Sequence, residues 1–258
     1  MVPQAQGAAV CTDIAGATNR VYTLPSANLG DDGAQFQVTV TDANGSAQDS
    51  GALVVSSAPG VVISDGDFSP SDWTVTAVLS PPQGAATHSE SRSAAGGNPG
   101  AFRSVTYGLG QGANSVRLFH TWLAGTYDPA IQGAAYRVDF ALDCARPSFA
   151  GEAQVPIASP MIEQGGRRFV PNATLIAGQW LCAYPEWQAQ LPISSFAASE
   201  FVLADGPACG AGEACPDFSA QAAPLRFGFV TSIDVGTTST GGIVVQGIDN
   251  WRVTVWRR

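Results

Sequence analysis

The chain has 258 residues, a formal net charge of −9 at neutral pH and only 13% charged residues, and its twelve basic residues are all arginine. This length allows one or two domains. Because phosphate binding depends on clustered Lys and Arg, the composition argues against nucleic acid as a partner. The absence of any long apolar run argues against a transmembrane helix.

The first predicted elements are two strands joined by a tight turn. Residues Phe36–Val40 alternate between apolar and polar side chains, which gives one strand an apolar face. Asn44-Gly45 supplies residues that tolerate the positive φ angles of a tight hairpin, and Leu53-Val54-Val55 is predicted as the returning strand.

The stretch from Ala15 to Ser56 resembles the cysteine-free immunoglobulin-like modules of bacterial surface proteins. Its acidic turn at Asp31-Asp32 precedes Phe36 and Val38, the positions that carry the corner tyrosine and the second cysteine in antibody domains. The resemblance implies a partial immunoglobulin-like domain at residues 1–58. Since such a domain needs about seven strands, we expect its other half, and further immunoglobulin-like domains, upstream of this chain.

The remaining residues, 59–258, are predicted to form a second domain of many short strands. The clearest strand is Ala135–Asp143, in which alternate residues from Tyr136 to Leu142 are predicted to point inward. Similar patterns occur at Trp73–Leu79, Phe102–Tyr107, Ser115–Trp122, Arg167–Val170, Gly178–Ala183, Leu225–Thr231 and Gly242–Trp256. Helical turns are expected only at Ser194–Glu200. This pattern predicts an all-β fold, a jelly-roll β-sandwich, with Trp73 and Trp251 in its core.

Both ends of this second domain resemble the galactose-binding-like class of jelly-roll carbohydrate-binding modules. The segment Val61–Phe68, followed by Trp73, is similar to their opening strand, and Gly247–Val255 with its Ile-Asp-Asn motif is similar to their closing strand. The segments Pro129–Ala134 and Pro216–Ala220 are similar to lectin-like modules of bacterial secreted proteins. A concanavalin- or laminin-G-like sandwich remains open as an alternative.

Three acidic residues fall on the predicted first and last strands, which are neighbours in such sandwiches. Asp65, Asp67 and Asp249 could supply the oxygen ligands that Ca²⁺ requires, so the sequence predicts a structural calcium site. The alternative is that these side chains cap turns.

A sugar site needs an exposed aromatic surface beside a few polar groups, because a pyranose has apolar faces and a rim of hydroxyls. The candidate ligand-binding residues are the aromatic Trp122, Tyr127, Trp180, Tyr184 and Trp187, with the outward-facing Arg137 and Asp139 as hydrogen-bonding partners. The alternative for each aromatic residue is a place in the core.

Five cysteines allow two disulfides. Cys209 and Cys215 bracket a small flexible loop and are predicted to pair, whereas for Cys144 and Cys182 the sequence leaves pairing open. Cys11 is then left over. The alternative is that all five are reduced, as in a cytosolic protein.

The sequence offers little for catalysis. His88 lies in a predicted polar loop, and His120 has the alternation of a packed residue. Asp139 and Asp143 lie about 13 Å apart along one strand, too far for the carboxylate pair of a glycosidase. We therefore expect a non-enzymatic extracellular or cell-surface module of a larger bacterial protein that binds a polysaccharide or another surface ligand. A purely structural or adhesive spacer is the alternative.

Overall fold

The computed structural model describes residues 2–4, 12–19, 21–24, 27, 31, 33–43, 45–53, 55, 60–81, 86–151, 154–172, 178–190, 192–195, 197–204 and 215–257. Their regular secondary structure is nearly all β-strand, which confirms the predicted fold class. Their contacts divide the chain into two units, residues 1–59 and 60–257. Within the described residues, no helix is long and apolar enough to cross a membrane, the α-helix α1 (Pro129–Gln132) having four residues.

The N-terminal unit contains one antiparallel sheet of β1 (Val2–Gln4), β2 (Gln35–Asp42) and β3 (Gly45–Ala52), in that order. The returning strand is therefore Gly45–Ala52, and its prediction at 53–55 was wrong. The real strand is polar and bonds its partner through side chains, as between Thr41 and Ser46, so apolar alternation does not mark it. Asn44 of the predicted turn lies outside the described residues, and the immunoglobulin-like sandwich stays a prediction.

The C-terminal unit contains two seven-stranded antiparallel sheets. The strands of sheet I are β4 (Val61–Asp65), β6 (Thr87–Gly97), β7 (Gly100–Leu109), β9 (Ala135–Gly151), β13 (Gln188–Ala189), β14 (Ile193–Ser195) and β17 (Gly242–Arg257). Their order in the sheet is β13-β9-β17-β7-β6, with β4 paired to β17 and β14 paired to β9. The strands of sheet II are β5 (Trp73–Ser80), β8 (Asn114–Trp122), β10 (Ile157–Gln164), β11 (Arg167–Pro171), β12 (Trp180–Leu181), β15 (Phe201–Leu203) and β16 (Arg226–Val235). Their order in the sheet is β15-β11-β10-β16-β8-β5, with β12 paired to β10.

The strand order is that of a jelly roll. Strand β17 lies between β7 and β9 in sheet I, and β16 lies between β8 and β10 in sheet II. Consecutive strands thus alternate between the sheets in the pairs β7–β8, β9–β10 and β16–β17. Two interleaved Greek keys of this kind define the jelly roll, and the predicted sandwich is confirmed.

The main core lies between the two sheets. Val138, Phe140 and Leu142 of β9 are buried as predicted, because alternate residues of a strand face opposite sides. Trp73 and Trp251 are 6% and 1% exposed and lie 5.0 Å apart between ring centroids, so both are core residues as predicted.

One stretch was predicted wrongly. His88 lies on the edge strand β6 and not in a loop; this strand is polar on both faces and shows no apolar alternation. The helical turn expected within Ser194–Glu200 is confirmed in part, since a 3-10 helix covers Ala198–Glu200, whereas Ser194 and Ser195 end β14. His120 is fully buried and stacks on Phe229 with 4.5 Å between ring centroids, which confirms it as a packed residue whose pKa burial lowers well below its ordinary value.

The disulfide Cys144–Cys182 joins β9 of sheet I to the residue that follows β12 of sheet II. Both cysteines are fully buried, so the bond links the two sheets through the core. Cys215 is also disulfide-bonded. Cys209, its predicted partner, lies outside the described residues.

Candidate functional site

Two of the five predicted sugar-binding aromatic residues belong to the core, and a third packs against it. Trp180 is 4% exposed and Tyr127 is fully buried, with its hydroxyl donating to the Gly133 carbonyl at 2.6 Å. Trp122 is partly buried against Trp251, with 5.7 Å between ring centroids. Trp180 and Tyr127 therefore present no ring face to a ligand, and their assignment as binding residues was wrong: the aromatic spacing fits both a core and a platform.

Tyr184 and Trp187 keep exposed surface. The Tyr184 side chain is 59% exposed. Trp187 is partly exposed and lies against the outer face of sheet I at Gly247, where an added Cβ would approach its Cη2 to 2.7 Å. Its Nε1 donates to the Gly96 carbonyl at 2.8 Å, and Phe102 meets it edge to face. The indole is thus held in one place beside the strand.

A β-bulge interrupts β17 next to this tryptophan. Asp249 pairs with Asp143 of β9, but the next pair is Arg252 with Ala141, so the two residues between them oppose one residue of β9. Asn250 accommodates the extra residue of the bulge by adopting a φ of 49°, in the left-handed region. The bulge buries the Trp251 side chain in the core and leaves Asn250 and Arg252 exposed.

A cavity of about 480 Å³ opens at this bulge. It lies among β4, β9, β17 and the segment after β13. The polar residues that line it are Ser64, Asp65, Asp143, Gln190, Asn250 and Arg252. This set mixes carboxylates, amides, a hydroxyl and a guanidinium, so it offers both donors and acceptors.

Two facing carboxylates are hydrogen-bonded to two asparagines beside the cavity. Asn250 donates from its backbone N–H to Asp249 Oδ1 and from Nδ2 to Asp143 Oδ2, both at 2.7 Å. Asn98 donates from its backbone N–H to Asp249 Oδ2 and from Nδ2 to Asp143 Oδ2. Burial, and more weakly the Asp143 charge, raises the pKa of Asp249, although the two backbone N–H groups oppose the shift. Asp249 is fully buried, whereas Asp143 lines the cavity.

Arg252 is exposed at the mouth of this cavity, and within the described chain its guanidinium makes no hydrogen bond or ion pair. An unpaired guanidinium keeps its five N–H donors available to a ligand. The turn that carries Gly96 and Asn98 bonds to both Trp187 and Asp143, so the aromatic ring and the cavity are adjacent.

The predicted polar partners Arg137 and Asp139 bond to each other instead. Arg137 donates from Nε and Nη2 to the two oxygens of Asp139 at 2.6 and 2.8 Å, and Trp256 Nε1 donates to the same carboxylate. The hydrogen bond to Asp139 raises the pKa of Arg137 above its ordinary value. Neither residue lines the cavity at the bulge, so the structure does not bring this pair to Trp187.

The three aspartates predicted to bind calcium have other partners. Asp65 accepts from the backbone of Asp67 and Phe68 and from Trp73 Nε1, as a turn cap does. Asp67 forms an ion pair with Arg92. Across the described ranges, no group of three or more His, Cys, Asp or Glu side chains has the arrangement of a metal site. Calcium binding stays a prediction that these contacts do not favour.

Sequence reasoning missed Asn98, Gln190, Asn250 and Arg252. The available signal was Asn250, which breaks the period-two alternation of β17 between a buried aspartate and a buried tryptophan. Asn98 and Gln190 lie in loops, and only the fold brings them to the bulge.

No protein-family model matches the chain, and no curated protein matches it. A structural comparison returned a crystal structure described as containing a xylogluco-oligosaccharide, with 11% sequence identity and a TM-score of 0.29 over 87% of this chain. The match spans 44% of that protein's length. A similarity at this score carries no argument about this protein's function.

Proposed function

We propose that residues 60–257 form a non-catalytic, carbohydrate-binding module of an extracellular bacterial protein, and that the cavity at the β17 bulge binds a neutral glycan. The observation that carries the proposal is the convergence of Asp143, Gln190, Asn250 and Arg252 on one open cavity of about 480 Å³ beside a partly exposed tryptophan. Each sugar hydroxyl both donates and accepts, and this set of side chains complements it in both roles.

A neutral ligand fits the charges at this cavity. Two carboxylates, Asp65 and Asp143, and one guanidinium, Arg252, line it, in a chain of net charge −9. An acidic ligand would be repelled by this distribution, whereas hydroxyl groups bond well to carboxylates and to arginine.

Binding without cleavage is favoured by the state of the carboxylates. A glycosidase places two carboxyl groups on either side of the bond that it cleaves. Here Asp249 is buried behind Asn98 and Asn250, and both Asp65 oxygens accept bonds from its own turn and from Trp73. Of the carboxylates that line the cavity, only Asp143 keeps an oxygen that accepts no hydrogen bond from the described residues.

The Cys144–Cys182 bond supports an oxidising compartment, since buried structural disulfides persist outside the cytosol. The resemblance of residues 15–56 to modules of bacterial surface proteins supports a place in a larger secreted or cell-surface chain.

The test is a screen of the full chain against immobilised neutral polysaccharides, followed by calorimetric titration with a hexasaccharide of the polymer that binds. We expect Asn250→Gly and Arg252→Gln each to weaken binding about tenfold or more. Arg252→Gln removes guanidinium donors to the sugar, whereas Asn250→Gly removes an acceptor oxygen and the amide that positions Asp143. The control Arg167→Gln changes an exposed arginine outside the cavity and should bind as the wild type does. Binding of no neutral glycan, or equal binding by all variants, would overturn the proposal and favour a structural spacer. Release of shorter sugars from the polymer would refute the non-catalytic part.

A further inference from the structure

The outer face of sheet II, the face turned away from sheet I, is concave. Arg168 of β11 donates from Nη2 to Thr76 Oγ1 of β5 at 2.8 Å, although three strands lie between β11 and β5 in the sheet. Four strand spacings amount to about 19 Å along a sheet, well beyond the reach of one arginine side chain. The sheet must therefore curve so that β11 and β5 approach each other across its outer face.

A second arginine crosses the same face. Arg117 of β8 donates from Nη1 to the carbonyl of Ala204, which follows β15, at 3.1 Å. Three strands again lie between the two partners. Arg117 and Arg168, here called the bridging arginines, therefore span the concave face at two places.

The bridging arginines cover an apolar floor. Phe119, Met161 and Val230 lie on the outer face of sheet II, yet they are at most 5% exposed. The Arg168 guanidinium lies 5.2 Å from the centroid of the Phe119 ring. It occupies the position above this aromatic ring where a sugar ring would stack.

Cavities lie on this face on both sides of the bridging arginines. One of about 130 Å³ is lined by Arg117, Ser159 and Asp234, and one of about 450 Å³ is lined by Glu163 and Arg226. Ser159 and Glu163 lie on the same face of β10, about 13 Å apart by strand rise. We call the surface that runs along β10 between these cavities the furrow.

Three arginines, Arg117, Arg168 and Arg226, and two carboxylates, Glu163 and Asp234, lie along the furrow, so it carries one excess positive charge in an otherwise acidic chain. Arg168 and Arg226 both lie 3.7 Å from the single carboxylate of Glu163. Arg117 bonds to a neutral carbonyl, and it has no carboxylate partner among the described residues. Each bridging arginine thus donates a hydrogen bond to a neutral acceptor, which is a weaker partner than a carboxylate, and Arg168 shares its one carboxylate neighbour with Arg226.

We propose that the furrow is a second binding site, which takes an extended glycan with carboxylate groups. The bridging arginines exchange Thr76 and the Ala204 carbonyl for carboxylates of the ligand, and a sugar ring takes the place of Arg168 on Phe119. A glycan suits the furrow better than a peptide strand does, because β10, along which the furrow runs, is paired on both sides, with β16 and with β11 and β12. Ser159 and Ser232 line the cavity beside Arg117, where their hydroxyls can bond to the sugar.

This site shares no residue with the cavity at the β17 bulge, so the two proposals can fail separately. The test is calorimetric titration of the full chain with a hexamer of galacturonic acid. The methyl ester of the same hexamer has the same backbone without the charge, and a sulfated galactan hexamer carries a different anion. We expect the acid to bind, the ester to bind at least about tenfold more weakly, and the affinity for the acid to fall with added salt.

The variants separate ligand binding from a structural role. Arg117→Gln and Arg168→Gln should each weaken binding of the acid about tenfold or more, and Arg168→Lys should retain part of it. Arg167→Gln is the matched control, since this neighbour of Arg168 points to the other side of β11, and Arg252→Gln is the control for the other cavity. Near-ultraviolet circular dichroism checks that each variant keeps its fold.

Thr76→Val gives the most specific readout. It removes the acceptor of Arg168 without changing any charge, so the arginine is freed and the galacturonate should bind about fivefold more tightly. A merely structural bridge predicts unchanged or weaker binding. Failure of the acid to bind, equal binding of acid and ester, wild-type affinity in both Gln variants, or binding of the sulfated hexamer alone would overturn the proposal.

Discussion

Asp143 and Asp249 face each other across the β9–β17 pair, and Asn250 donates a hydrogen bond of 2.7 Å to each of them. One residue at a β-bulge thus bonds to two carboxylates in different environments. Asp249 is buried, whereas Asp143 lines the cavity. The left-handed φ of 49° at Asn250 is what allows its backbone N–H and its side chain to reach both partners. The shape and the hydrogen-bonding groups of the proposed site depend on this bulge.

The first prediction concerns the two roles of Asn250. In Asn250→Gly the left-handed backbone is unstrained, but the side-chain bond to Asp143 is lost. These effects oppose each other, so we expect the free energy of unfolding to change by less than about 1 kcal/mol. Asn250→Ala has the strain without the bond and should be less stable than Asn250→Gly. Urea denaturation measures both, and equal stability of the two variants would contradict the role assigned to the backbone.

The second prediction concerns the packing of Trp187 against Gly247. A methyl group in Gly247→Ala would lie 2.7 Å from Trp187 Cη2, so the indole has to move off the strand. We expect a loss of about 1–3 kcal/mol of stability and a red shift of tryptophan emission as the ring becomes more exposed. Gly236→Ala is the control, since nothing lies within 4 Å of an added Cβ there. An unchanged spectrum in Gly247→Ala would show that the ring is not held against β17.

The third prediction concerns the pH dependence of stability at Asp139. Burial disfavours its charge, but hydrogen bonds from Arg137, Ser194 and Trp256 outweigh burial and lower its pKa below 3.8. A lowered pKa stabilises the fold above the unfolded-state value, and this stabilisation is lost as the pH falls through the folded-state value. We therefore expect Asp139→Asn to cost about 2 kcal/mol at pH 7 and progressively less below about pH 4.

Urea denaturation at several pH values measures this difference. Glu186→Gln is the control, because this exposed carboxylate makes no hydrogen bond or ion pair within the described part of the chain. A difference between Asp139→Asn and the wild type that stays constant down to pH 2.5 would show that the Arg137 pair does not stabilise the charged form.

The fourth prediction concerns the bond between the sheets. Cys144 and Cys182 are 38 residues apart in the sequence, and a loop of that length restricts the unfolded chain by about 4 kcal/mol. We expect the double variant Cys144→Ala/Cys182→Ala to lose about that much stability in urea. Each single variant should lose a similar amount, since either change breaks the same bond. Midpoints equal to that of the wild type would contradict a stabilising role.

The alternation of apolar and polar residues was enough to predict the sandwich. In β9 the residues from Val138 to Leu142 are fully and partly buried in turn as the pattern indicates, because a strand has a fixed side-chain period. The same reasoning failed at β6, an edge strand with polar side chains on both faces, and at β3, which consists of small and polar residues.

The candidate site was predicted only in part. Trp187 has a place beside it, but Trp180 and Tyr127 are buried in the core, since an aromatic side chain carries the same sequence signal in either setting. Arg137 and Asp139 were correctly expected to face outward, yet they neutralise each other on one strand. No local sequence pattern shows whether two polar side chains bind a ligand or bind each other.

The sequence by itself determined the period-two strands, the all-β class and the central place of Trp73 and Trp251, because these follow from the geometry of a strand and the burial of apolar surface. Only the tertiary structure decided which polar residues meet. Asn98, Asp143 and Asn250 come from three distant parts of the chain, and the bulge in β17 joins them. The curvature that brings Arg168 to Thr76 is likewise a property of the whole sheet, since it accumulates over strands whose order no local pattern specifies.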